Sequence, residues 1–268
     1  MRLIVSAMHR SGINAISKWL LRQSSLKRKD MVQVLGDWVE TSSGHYAFLS
    51  QINHPDHTIW NEFVLDKTVM TIERESAEDV EKFCQKNNLY NWRPIHEYMD
   101  VDYDDAKPTW DHVFVIRSFK NWLASVAKAH LTVLNANPDN PVLYCYNVHQ
   151  DIEKYRSYLN WACTMSVCGR EGFNPHILIY DKWVQNKQYR KEIVRVLGLP
   201  KFTDAGFKDV PQNCGGSSFD GLEFNGKADE MKVLERWKEY ENDEGFMKVL
   251  DDYSDIVRMS DQVCGGIR

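Results

Sequence analysis

Four short apolar runs set the architecture of this chain: Leu3 to Ala7, Thr68 to Ile72, His112 to Ile116 and His176 to Tyr180. Each holds about five residues and is rich in Val, Ile or Leu, the pattern of a strand covered on both faces. Helical spacing follows most of them. Ile13, Ile16 and Leu20 share one face after the first run; Trp122, Leu123, Val126 and Ala127 do so after the third. Ile193, Val194 and Leu197 follow the fourth, and Leu-Gly-Leu-Pro at 197–200 supplies a stop. Strands alternating with helices predict an α/β fold, with a mostly parallel central sheet between two layers of helices.

The rest of the chain is less regular. Residues 23–60 mix charge, glycine and aromatics, and no element is assigned to them. Residues 85–110 are dense in aromatics, Pro and Asp, and form either an acceptor-binding lid or the core of a small lobe. Residues 211–227 are Gly-rich, and 229–251 read as one or two amphipathic helices. No internal repeat occurs, and 268 residues fit one domain with this added lid.

An open parallel sheet binds ligands beyond the carboxyl ends of its strands. The first strand hands over there to His9-Arg10-Ser11-Gly12-Ile13-Asn14. Gly12 permits close approach of the backbone, and the helix that begins there offers unpaired N–H groups and the positive end of its dipole. Arg10 adds charged donors; Ser11 and Asn14 add neutral ones. Together these make a cradle for phosphate or sulfate. The chain carries 33 Lys and Arg against 38 Asp and Glu, a net charge of −5, so any anion site must be built locally. The same balance argues against a nucleic-acid or membrane partner. A Walker A loop is absent, because no Gly-Lys-Ser or Gly-Lys-Thr occurs. A second candidate site lies where the third run ends, at Arg117. Ser118 there is a plausible helix N-cap, and Ser125 follows eight residues after the arginine, about two helical turns on.

These two segments together resemble the 3′-phosphoadenosine 5′-phosphosulfate-dependent sulfotransferase family. Its members carry a loop Pro-Lys/Arg-Ser-Gly-Thr-Thr after the first strand. Arg10, Ser11 and Gly12 match it, while His9 replaces the proline and Ile13-Asn14 replace the threonines. The second family motif, Arg-Asp-Pro-Arg-Asp-x-x-x-Ser, keeps its first Arg and last Ser here as Arg117 and Ser125. Lys120 stands at its second arginine, and Ser118-Phe119 replace Asp-Pro. Residues 176–200 resemble the family's late strand-and-helix segment, with Asp181 and Trp183 as variants. Residues 214–221 resemble the late loop over the nucleotide, and 235–240 the C-terminal helix entry.

The resemblance implies a P-loop-like sulfotransferase fold and transfer of a sulfuryl group from 3′-phosphoadenosine 5′-phosphosulfate to a hydroxyl or amine. The acceptor would be a small molecule or carbohydrate, the product nucleotide adenosine 3′,5′-bisphosphate, and no metal is required. Residues 10–14 would hold the 5′-phosphosulfate, with Arg10 stabilising the leaving phosphate. Arg117 and Ser125 would hold the 3′-phosphate. Gly215, Gly216, Ser217 and Ser218 would add contacts, or simply form a flexible loop. Tyr180 would touch adenine or close the core. Family members use Glu or His as general base. Glu73, after the second run, is the first candidate, and its alternative is a solvated charge beside the Ser76–Asp79 capping box. His9 is the rival. Two other readings remain: a nucleotide-binding module without catalysis, and a P-loop-like kinase.

No apolar run approaches the ~18 residues that span a bilayer, and no signal peptide is read at the start. The cysteines, at 84, 145, 163, 168, 214 and 264, form no CxxC, and free buried thiols in a cytoplasmic protein are expected.

Overall fold

The computed structural model describes residues 2–8, 10–24, 31–40, 46–54, 57–65, 110–136, 142–168, 173–210, 217 and 219–265. The expected strand at Thr68 to Ile72 and the lid stretch 85–109 lie outside them. The chain divides into two compact units. The first comprises 1–9, 26–114 and 153–177; the second comprises 10–25, 115–152 and 178–268.

The first unit carries the sheet. β1 (Arg2–Met8) pairs in parallel with β2 (Met31–Glu40), from Leu3 opposite Met31 to Met8 opposite Gly36. A helix, α1 (Ile13–Gln23), separates them in sequence, so β1–α1–β2 is a βαβ unit. β3 (Tyr46–His54) and β4 (His57–Leu65) follow β2 as antiparallel neighbours. β5 (Trp110–Ile116) and β6 (Phe173–Ile179) complete the order β4-β3-β2-β1-β5-β6. The fold is therefore α/β with a mixed sheet rather than a mostly parallel one, and its antiparallel part begins in the irregular 23–60 stretch and runs on to Leu65.

The first unit's core is aromatic. Phe114 meets Trp161 edge to face at 4.7 Å, and His112 stacks on Phe114 at 4.0 Å. The fully buried His112 shares a 2.7 Å hydrogen bond between its Nε2 and the Ser6 hydroxyl, and the Tyr158 hydroxyl donates to the Ser6 carbonyl at 2.8 Å. Burial, reinforced by the charge of nearby His176, pushes the His112 pKa down to about 3. A neutral imidazole is what an apolar shell tolerates.

The second unit is helical. α1 buries Ile13, Ile16, Trp19 and Leu20 on one face, as its spacing requires. α2 (Phe119–Ala136) buries Trp122, Leu123 and Val126, and α3 is Val142–Cys168, whose later part belongs to the first unit. After β6 come α4 (Tyr180–Gln185) and α5 (Lys187–Val196). The Asn186 side chain caps α5 by accepting from the Tyr189 N–H at 3.0 Å. α5 ends as expected at Gly198, whose φ of 60° lets the Leu199 N–H return to the Val194 carbonyl at 2.9 Å. Residues 229–251, which read as one or two amphipathic helices, hold one α-helix, at their end. Short 3-10 turns occupy Ala228–Glu230 and Arg236–Tyr240, and α6 (Glu244–Asp252) and α7 (Ser254–Cys264) follow. No described helix is long and apolar enough to cross a membrane.

Candidate functional site

The second unit contains every described residue of the expected anion sites. The turn after β1 takes an unusual path: Arg10 has φ 66° and Gly12 φ 84°, both left-handed. Gly12 is then the N-cap residue of α1, and its carbonyl accepts from Ala15 and Ile16 at 3.1 and 3.2 Å. No side chain caps this helix, and its first turn holds no acidic residue. Ile13 and Ser11 are buried, Asn14 is half-buried and Arg10 is exposed.

Gly12 is required for a second reason. A Cβ built on it would collide with the ring of Tyr180, the first residue of α4. Tyr180 is buried and also stacks on Trp183 at 5.8 Å. Over the same ring lies the Arg117 guanidinium, 5.2 Å from the centroid.

Arg117 joins the two motifs. Only 2% exposed, it donates from Nη1 to the Arg10 carbonyl at 2.8 Å and from Nη2 to the Val233 carbonyl at 3.1 Å. The strained turn, the end of β5 and the C-terminal segment are thus held by one side chain. Ser125 lies in α2 and is 2% exposed.

The N-terminus of α2 is already supplied with a negative charge. Asp181, fully buried, accepts the Ser118 N–H at 2.7 Å and the Ser118 hydroxyl at 2.9 Å. The Asn121 amide donates to the Ser118 hydroxyl at 3.0 Å. The Phe119 N–H is taken by the Ser260 hydroxyl at 2.9 Å. Ser118 therefore stands at the cap position, with its carbonyl accepting from Trp122 at 2.9 Å, but its hydroxyl serves Asp181. Among the described residues no side chain caps α1, whereas the α2 end is filled.

Ser217 lies in a tight turn closed by reciprocal main-chain bonds with Gly221 at 2.8 and 2.9 Å. Its hydroxyl donates to Asp220 at 2.9 Å and accepts from Arg236 Nη2 at 2.6 Å. Arg236 is 7% exposed, bonds Asp220 at 2.8 Å and lies 4.6 Å over the Phe219 ring, which Lys128 of α2 approaches from 5.4 Å. Nε and Nη1 of Arg236 make no hydrogen bond among the described residues. Comparison with protein-family models, curated proteins and solved structures finds no match to this chain. The weight of any functional reading therefore falls on the residues themselves.

Of the expected site residues, the fold brings Arg10, Gly12, Arg117 and Tyr180 together. Ser11, Ile13 and Asn14 lie in the same turn and helix start. His9, Glu73, Gly215, Gly216 and Ser218 fall outside the described residues. Arg236, Asp220 and Asp181 carry more of the local chemistry than the sequence indicated. Arg236 stands in a run of mixed charges, Glu235-Arg236-Trp237-Lys238-Glu239, where nothing marks the one buried member.

Proposed function

We propose that this chain is a sulfotransferase that binds 3′-phosphoadenosine 5′-phosphosulfate and passes its sulfuryl group to a hydroxyl or amine acceptor. One observation carries this reading: the Arg117 guanidinium donates directly to the backbone of the Arg10 turn. The two segments from which the resemblance was drawn lie 107 residues apart in sequence and meet in one place. The residues present also fit a phosphosulfate. The turn leads into a helix start without a side-chain cap, and an exposed arginine flanks it.

The bound donor would supply a sulfuryl unit carried on a phosphate leaving group. This chain's part is positioning and charge stabilisation. Arg10 and the leading N–H groups of α1 hold the negative charge that grows on the 5′-phosphate oxygen. Arg117 keeps the turn in its left-handed path and places its positive charge beside it. Arg236, bonded to Ser217 and Asp220, adds a guanidinium beside the turn at 217–221. The acceptor proton goes to a carboxylate or imidazole, for which Glu73 and His9 stand as candidates.

A second reading, nucleotide binding without transfer, is favoured by the seat of Tyr180 against Gly12 and by the replacement of paired threonines with Ile13-Asn14. Titration calorimetry and a donor-consumption assay separate the two. The proposed function requires adenosine 3′,5′-bisphosphate to bind, ATP with Mg²⁺ to bind far less, and donor to be consumed when acceptor is present. Binding of the bisphosphate with no donor consumption across hydroxyl and amine acceptors supports the second reading. Preference for ATP with Mg²⁺ contradicts both and favours a kinase.

A further inference from the structure

The region around α5 concentrates positive charge. Residues 182–201 hold six cations, Lys182, Lys187, Arg190, Lys191, Arg195 and Lys201, against one carboxylate, Glu192: a net +5 in a chain of −5. Arg190 is internal, bonded twice to Asp204 at 2.8 Å. Lys187, Lys191, Arg195 and Lys201 are exposed. Arg195 shares its charge with Glu192 at 3.2 Å, whereas Lys187, Lys191 and Lys201 form no ion pair among the described residues. Elsewhere in the second unit, exposed cations commonly have partners: Arg22 with Asp209, Lys208 with Asp229, Lys248 with Asp252. With the stretch's one carboxylate, Glu192, already paired to Arg195, the exposed lysines leave a field that an external anion can satisfy.

The same edge holds a groove of about 320 Å³ between α5 and the segment 199–202. Lys191, Arg195 and Lys201 line it together with Gln188 and with Glu192, whose carboxylate is taken by Arg195; Pro200 and Phe202 supply its accessible apolar surface, over the nearly buried Val194 and Leu199. Exposed Val196, 48% accessible, extends the apolar surface at the end of the helix.

We propose that this groove docks an extended acidic segment of a partner protein, one in which Asp or Glu alternates with apolar residues. Spacing and shape carry the assignment. Lys191 and Arg195, both lining the groove, stand four residues apart on the helix, about 6 Å along its axis, and Lys187 continues the row one turn beyond the groove. Same-side residues of an extended strand repeat every ~6.6–6.8 Å, so alternate carboxylates meet successive cations while the intervening side chains fall toward the apolar surface. A membrane surface suits the groove poorly, because Val194 and Leu199 are only 3% and 7% exposed and cannot insert into lipid. A single nucleic-acid strand would want stacking rings along its track, and the groove has one, Phe202. The site is independent of the nucleotide reading.

Fluorescence anisotropy on the full chain tests it, with a labelled nine-residue peptide of alternating Asp and Val or Tyr. Its Asn-for-Asp counterpart, a single-stranded DNA oligonucleotide and phosphatidylserine vesicles serve as comparison probes. The Asp peptide should bind, and its affinity should fall as salt rises. The Lys191→Glu/Lys201→Glu variant should bind it roughly tenfold more weakly or worse, since two surface pairs become repulsive. Both positions are exposed, so the melting temperature should stay unchanged and report intact folding. Equal affinity for the Asn peptide overturns the proposal. So does unaltered affinity of the charge-reversed variant. Binding of the oligonucleotide or vesicles in place of the peptide reassigns the groove and equally overturns it.

Discussion

Replacing Gly12 with Ala makes two separable demands on the fold. The first is conformational: φ of 84° is left-handed, and an L-residue there costs about 1–2 kcal/mol. The second is steric, because the new methyl would strike the buried Tyr180 ring, itself backed by Trp183 and by Arg117. Overpacking of this kind costs about 1–3 kcal/mol. The sum, about 2–5 kcal/mol, is a large share of the ~5–15 kcal/mol that stabilises a typical domain. Urea unfolding of a double-mutant cycle isolates the two parts. Tyr180→Ala removes the ring, so Gly12→Ala in that background should keep only the backbone cost of about 1–2 kcal/mol. The expected coupling is thus about 1–3 kcal/mol, in the sense that the second mutation relieves the first. Additivity within experimental error would refute the contact. A Gly12→Ala cost near zero in the wild type would refute the strained turn as well.

Further outcomes follow from the same geometry. Arg117→Ala removes the donors to two carbonyls in a buried setting, at about 1–3 kcal/mol for each unsatisfied group, and a loss under 1 kcal/mol in chemical denaturation would remove its role as a brace. Asp181→Asn weakens a charge-assisted cap on α2 and should cost about 2 kcal/mol; a cost below about 0.5 kcal/mol would mean the carboxylate does not hold that helix. His112 has its folded pKa depressed to about 3 from 6.5, so its contribution is fully present above about pH 6.5 and is lost as pH falls toward 3. Its share of the slope approaches about 1.4 kcal/mol per pH unit in that window, and His112→Gln should flatten the curve there; an unchanged pH dependence would place the proton elsewhere.

The strands that flank the Arg10 and Arg117 turns were legible because both of their faces need apolar cover: Leu3, Val5, Val113 and Val115 are all buried. The helix faces of Ile13, Ile16, Leu20, Ile193 and Val194 were legible from 3.6-residue spacing, and the stop at Gly198 from its dipeptide context. The β2–β3–β4 meander is hard to read because polar residues interrupt its strands, as do Gln33, Gly36 and Asp37 in β2 and Ser50-Gln51 in β3, although Tyr46 to Leu49 is an unbroken apolar run. The Pro55-Asp56 pair between two β-rich stretches was an available turn signal.

At the site, spacing and residue type indicated which segments would meet but not how their donors would be spent. Arg117 looked like a surface arginine waiting for phosphate; its burial and its bonds to two carbonyls come from tertiary packing that no local pattern encodes. Asp181 looked like a variant of a family position, and only the fold shows it capping a helix 63 residues away in sequence.

Hydrogen–deuterium exchange with adenosine 3′,5′-bisphosphate tests most directly whether the Arg10 turn is an anion site. Amides of residues 10–16 should exchange more slowly with the nucleotide present, and Arg10→Ala, an exposed position with little effect on stability, should abolish most of that protection. Exchange in 10–16 unchanged by saturating nucleotide, or protection that persists undiminished in Arg10→Ala, would contradict the assignment.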